Sequence, residues 1–286
     1  MAHAEGGYYV PHFSFWPIFG GVALTSMAAG ASIYLNGSDW GFTVMMIGVA
    51  LTLLLMAGWF ANVIRESVSG LYNTQVDRSF RWGMMWFIFS EVMFFGAFFG
   101  ALFYARMLSV PWISGADPST ARFLWDSVTL NWPTAGPAYA ALDWEPMGAW
   151  PLPTINTLIL LTSGVMLTIS HHALKAGQRG KSTIFMWITV LLGSLFLGLQ
   201  AYEYYEAYQH LNLRLDTGIY GSTFFMLTGF HGFHVLIGTV TLLVIALRLM
   251  AGHFTPDNHF GYEAAAWYWH FVDVVWLGLY IFVYVI

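Results

Sequence analysis

Glu91, His231, His234, His270 and Asp273 stand inside long apolar stretches of this chain. Ionisable groups in such surroundings are costly, so each must face protein, water or a partner group. His270 and Asp273 lie three residues apart in Trp267-Tyr268-Trp269-His270-Phe271-Val272-Asp273, and on a helix they share one face. Glu91 sits in Phe87-Ile88-Phe89-Ser90-Glu91-Val92-Met93-Phe94-Phe95, with no other formal charge between Arg81 and Arg106. Burial disfavours the charged form of an isolated carboxylate. Two readings of Glu91 stand side by side. It is a proton site or lipid-headgroup contact, or it is a protonated acid hydrogen-bonded to a neighbouring helix.

His231 and His234 share a helix face within Phe230-His231-Gly232-Phe233-His234. Two imidazoles could begin a metal site, but two ligands do not complete one. The expectation is therefore no metal, with His231, His234, His270 and Asp273 as polar contacts between helices. His171 and His172 are expected at a membrane interface beside Lys175, Arg179 and Lys181. Glu203-Tyr204-Tyr205-Glu206 reads as a solvated helix end. Gly96 with Gly100, and Ala97 with Ala101, form small-residue pairs of the kind that let helices approach closely.

The elements that must position these groups are membrane helices. Of 286 residues, 58% are hydrophobic and 9% charged, where a soluble domain carries about 25% charged residues. Seven apolar spans can be drawn, over 16–35, 40–64, 82–108, 152–170, 183–204, 219–249 and 264–286. Each approaches or exceeds the roughly 20 residues needed to cross a hydrocarbon core. Strand-like alternation is absent, so the fold class expected is all-α, a polytopic membrane protein forming a single integral membrane domain. The stretch 109–150, rich in proline, reads as an ordered extramembrane loop. The late first basic residue, Arg65, gives the start of the chain no signal-peptide character.

With seven spans, Arg65, Arg78, Arg81, Lys175, Arg179, Lys181 and Arg248 fall on one face, and Arg106, Arg122 and Arg214 on the other. The positive-inside rule then puts the N-terminus in the cytoplasm and the C-terminus outside. Basic residues at the inner interface can also hold anionic headgroups. The absence of cysteine excludes disulfides, thiolate metal sites and iron–sulfur clusters. A net charge of −5 suggests no nucleic-acid partner. The spans hold too few histidines for two haems and a copper, so no redox centre and no catalytic residue is expected in the chain itself.

Several ordered strings make this sequence similar to subunit III of cytochrome c oxidase. They are Arg81-Trp82-Gly83-Met84 leading to Phe89-Ser90-Glu91-Val92-Met93-Phe94-Phe95; Pro153, Asn156 and Thr157 followed by Ser163-Gly164 and His171-His172; and Leu199-Gln200-Ala201-Tyr202-Glu203-Tyr204. Tyr220-Gly221-Ser222-Thr223-Phe224-Phe225 with Thr228-Gly229-Phe230-His231-Gly232-Phe233-His234, and the segment from Gly261 to Trp276, complete the set. The resemblance covers most of the chain from about Asn62 onward. Departures include Asn62, where the family usually has Asp, and Asn258-His259, where it usually has a histidine pair.

The resemblance implies seven helices in two bundles, helices 1–2 (residues 16–64) and helices 3–7 (residues 82–286), forming a V-shaped lipid cleft. It implies an accessory subunit of a bacterial aa3-type oxidase in the inner membrane, packed with catalytic subunit I and with subunit II. Haem a, haem a3 and copper would belong to those partners, and bound phospholipid to this chain. Implied roles are lipid organisation, stabilisation of the catalytic subunit and support of proton uptake. Glu91 matches the family's buried, carbodiimide-reactive acid. Trp59, Arg65, Phe87 and Arg248 match or adjoin its lipid contacts. Two alternatives remain: subunit III of a quinol oxidase, or an independent proton-coupled transporter using Glu91 and Asp273.

Overall fold

The computed structural model describes residues 8–11, 13–123, 129–139 and 142–286. Among these there are helices and turns and no strand. Seven helices are long and apolar enough to cross a membrane, which makes this a multi-pass membrane protein. In chain order they are α1 (Trp16–Leu35), α2 (Trp40–Val68), α3 (Thr74–Tyr104), α5 (Leu152–Lys175), α6 (Arg179–Gln209), α7 (Gly218–Ala251) and α8 (Phe260–Leu279). A short helix α4 (Pro118–Phe123) lies between α3 and α5.

The helices outrun the apolar runs of the sequence at several ends. α3 begins eight residues before Trp82 and continues through π-helical turns at Ala105–Ser109 and Trp112–Ala116. The expected loop 109–150 is thus helical at its start, and its residues 124–128 and 140–141 lie outside the described set. α8 begins four residues before Ala264, at Phe260, and its C-terminal part stays within the apolar run as a π-helical turn over Tyr280–Val285. Polar residues extend these helices because backbone hydrogen bonding continues beyond the apolar layer, where propensity rather than hydropathy decides.

The chain divides into two compact units, Met1–Trp82 and Gly83–Ile286. In the first, α1 and α2 pack through glycine. A Cβ at Gly30 would stand 2.2 Å from Met45 N, and one at Gly48 would stand 2.4 Å from Met27 N. Two apolar helices in lipid gain little from the hydrophobic effect, so close backbone approach supplies their attraction. Past α2, the Tyr72 hydroxyl donates to Glu66 Oε2 at 2.7 Å. Burial, reinforced by the Glu66 carboxylate, holds the Tyr72 proton well above the usual phenol range.

In the second unit, α8 lies on α5 through a ladder of hydroxyls. Tyr262 donates to Ser170 Oγ at 2.8 Å, Trp269 Nε1 to Ser163 Oγ at 2.9 Å, and Trp276 Nε1 to Thr157 Oγ1 at 2.9 Å. Tyr280 and Thr154 pair their hydroxyls at 2.8 Å. Aromatic residues seven apart return to one helix face, and antiparallel α5 meets them with small hydroxyl residues at matching intervals. Trp269 and Trp276 are wholly buried, so their indole N–H groups would be orphaned without these partners. Gly193 of α6 and Gly238 of α7 close on the Trp269 ring, where a Cβ would come within 2.7 and 2.8 Å.

Gly96 and Gly100 do not take part in such packing. Nothing lies within 4 Å of the Cβ each would carry, and both are exposed with Ala97 and Ala101. Among the described residues of the second unit, the close packing expected from their spacing is not made. The spacing describes a smooth face on α3, but the other described helices of the second unit do not fill it.

Candidate functional site

Glu91 is not isolated. Its Oε2 lies 2.7 Å from His234 Nε2, joining the middle of α3 to α7, and both side chains are mostly buried. His234 Nδ1 lies 2.6 Å from the Phe230 carbonyl oxygen one turn earlier. A carbonyl only accepts, so Nδ1 carries a proton. One further proton then resides between Nε2 and Oε2. It makes either a neutral acid donating to imidazole or an imidazolium paired with carboxylate, and both arrangements carry no net charge. A proton can thus shift along this one hydrogen bond without placing net charge in the membrane.

Aromatic rings fix the pair. Tyr268 stacks on His234 at 6.4 Å and on Phe87 at 6.2 Å, and its hydroxyl donates to the His234 carbonyl at 3.3 Å. Phe95 meets the imidazole edge-on at 4.9 Å. Phe87 lies one helical turn before Glu91 and is itself 46% exposed.

His231 faces elsewhere. It is fully buried, and its Nε2 donates to Val272 O of α8 at 3.2 Å while its ring lies 5.0 Å from Trp276. The two histidines that share a helix face in sequence therefore serve different neighbours, α8 and α3. Asp273 is 6% exposed, with Oδ2 3.5 Å from His270 Nδ1. His270 Nε2 lies 3.3 Å from Thr168 Oγ1 of α5. Gly164 makes room for the carboxylate, since a Cβ there would stand 2.4 Å from Asp273 Oδ2.

Of the residues read as lipid contacts, Trp59 and Arg65 are exposed on α2. Arg248 is half-buried in the last turn of α7, its guanidinium 4.3 Å over the Phe254 ring. Its Nε has no hydrogen-bond partner among the described residues. The neighbouring end of α7 is closed by Arg179, which donates to the Leu249 and Met250 carbonyls at 3.0 and 2.6 Å.

Glu203 corrects the sequence reading. It is wholly buried rather than a solvated helix end, and its Oε1 accepts from Tyr284 at 2.6 Å and from Gln200 Nε2 at 3.3 Å. The C-terminal turn of the chain covers it, a contact between residues 81 apart that no local pattern announces. The partner of Glu91 was also missed, although a polar residue in the middle of a second apolar span was the available signal.

Comparison with known proteins agrees with the strings that surround these residues. The family model described as "Cytochrome c oxidase subunit III" matches residues 6–286. Proteins named cytochrome c oxidase subunit 3 from Danio rerio and Bos taurus are 41% and 39% identical over 285 residues, covering 99% of this chain and 98% of each relative. One from Squalus acanthias is 40% identical over the same length. With seven membrane helices, the Glu91 segment and the α8 aromatic ladder falling inside a match that spans nearly every residue, the chain belongs to the cytochrome c oxidase subunit III family.

Proposed function

We propose that this chain is a non-catalytic subunit of an aa3-type cytochrome c oxidase in a bacterial inner membrane, with its N-terminus cytoplasmic. It packs against a catalytic subunit that holds haem a, haem a3 and copper, in a complex that also contains subunit II. It organises phospholipid and supports proton uptake by its partner. The observation that carries this reading is His270. In the chain alone its side chain is 45% exposed, although it stands in the middle of an apolar membrane helix. An imidazole facing lipid is costly, so a second membrane protein covering the α8 face is the economical solution.

Lipid contact is supported residue by residue. Trp59 and Phe87 present aromatic surface outward. Arg65 stands at the last turn of α2, and Arg248 keeps an unpartnered Nε beside Phe254. A guanidinium so placed suits a phosphate through charge-assisted hydrogen bonds. Glu91 and His234 form a proton-sharing pair in the same unit as Arg248.

The test is to tag the chain, extract it in mild detergent and record the absorption spectrum of what accompanies it. A haem a signal with a larger subunit is expected, and oxidation of reduced cytochrome c separates this reading from a quinol-oxidising complex. A colourless protein that purifies alone would overturn it.

A further inference from the structure

A second histidine cluster lies at the end of the second unit where α5 runs into Lys175. Gly177 and Gly252 take positive φ and end α5 and α7, with Gln178 N bonded to Ala173 O and His253 N to Arg248 O. These turns send the chain back into α6 and α8 and leave the end of α5 beside the start of α8. His171 of α5, His259 at the N-cap of α8 and Glu263 one turn on each offer a ligand atom there. The three atoms lie within 4.8 Å of one another.

We propose that His171, His259 and Glu263 form a binding site for one divalent transition-metal ion of the zinc class, with water completing its coordination. Three features carry this. First, His259 Nδ1 lies 3.1 Å from the Thr255 carbonyl oxygen and therefore donates to it. That leaves Nε2 of the neutral ring as a lone pair, the arrangement in which a second hydrogen bond orients a metal-binding histidine. Second, His259 is 8% exposed, yet among the described residues its Nε2 makes no hydrogen bond, and neither does the buried Nε2 of His171. His259 Nε2 stands 3.1 Å from Glu263 Oε1, but off the line a hydrogen bond requires. Third, the rings are held in place. His171 stacks on Tyr262 at 5.1 Å, and Tyr262 is tied to Ser170; the two imidazoles meet at 5.3 Å.

The donor set selects the ion. Two imidazoles and one carboxylate suit zinc and its neighbours, whereas magnesium and calcium require oxygen ligands. Tetrahedral zinc with bonds of about 2.0–2.1 Å keeps its ligand atoms about 3.3 Å apart. The His259–Glu263 separation already meets this, and a small swing of His171 supplies the rest. Lys175 is the positive neighbour that opposes the ion. A bound ion would fasten the last turn of α5 to the first turn of α8.

The native complex would be stripped with a chelator, freed of it and titrated with zinc chloride alone. Retained zinc would be counted per chain and examined by X-ray absorption at the zinc edge. One zinc above the stripped baseline is expected, with two imidazoles in its shell. His171→Gln and Glu263→Gln should each weaken retention by about 10-fold or more, while His172→Gln should leave it unchanged. Equal retention in the first two variants, or equal loss in the third, overturns the site. If a variant fails to assemble, the absorption spectrum of the unaltered complex decides, because a shell without two imidazoles is equally fatal.

Discussion

The proton between Glu91 and His234 decides what can replace either residue. His234 Nδ1 is committed to the Phe230 carbonyl, so a neutral His234 presents Nε2 as an acceptor. The amide of Glu91→Gln can donate to it and preserve the joint between α3 and α7. Assembly should then remain intact, with turnover altered only mildly. Glu91→Leu leaves Nε2 buried and unpaired, at a cost of about 1–3 kcal/mol. Thermal unfolding and haem content of the purified complex distinguish the two, and loss of haem incorporation in Glu91→Gln would refute the assignment.

Between helices, specificity comes from small residues and hydroxyls, because lipid is as apolar as the side chains it bathes. At Gly48 the obstacle to a side chain is Met27 backbone, which cannot rotate aside. Gly48→Ala should separate α1 from α2 and lower the melting temperature of the chain in detergent. Gly96→Ala meets nothing within 4 Å, so the same assay should find it within about 0.5 kcal/mol of the parent. Equal effects of the two substitutions would mean that close backbone approach is not what holds α1 to α2.

For the whole molecule, topology and bound lipid are set by where its basic residues lie. The chain contains no cysteine, so a single introduced cysteine reports one position cleanly. Cysteine at Gly177, in the turn between α5 and α6, should react with an impermeant reagent only from the cytoplasmic side. Cysteine at Asn212, between α6 and α7, should react only from the other. The reverse pattern would invert the orientation inferred from Lys and Arg. Arg248→Ala removes a half-buried guanidinium and its contact with Phe254. Phospholipid phosphorus per complex should fall and inactivation during turnover should quicken. Unchanged phosphorus after gentle purification would remove Arg248 from the lipid contacts.

Sequence alone determined the seven spans and the all-α class, because crossing a membrane demands long apolar runs whose backbone groups bond internally. The ordered strings around Glu91, His231 and His270 also determined the family. Tertiary structure alone decided the pairings. Glu91 meets His234 across 143 positions, Trp269 meets Ser163 across 106 and Tyr284 covers Glu203 across 81. Periodicity tells which face of a helix is polar, but not which helix that face meets. It also marked Gly96 and Gly100 as a contact face while the close approach in this chain lies at Gly30 and Gly48. Buried polar groups must find partners wherever the packed helices bring them, and in this chain most of those partners are far away in sequence.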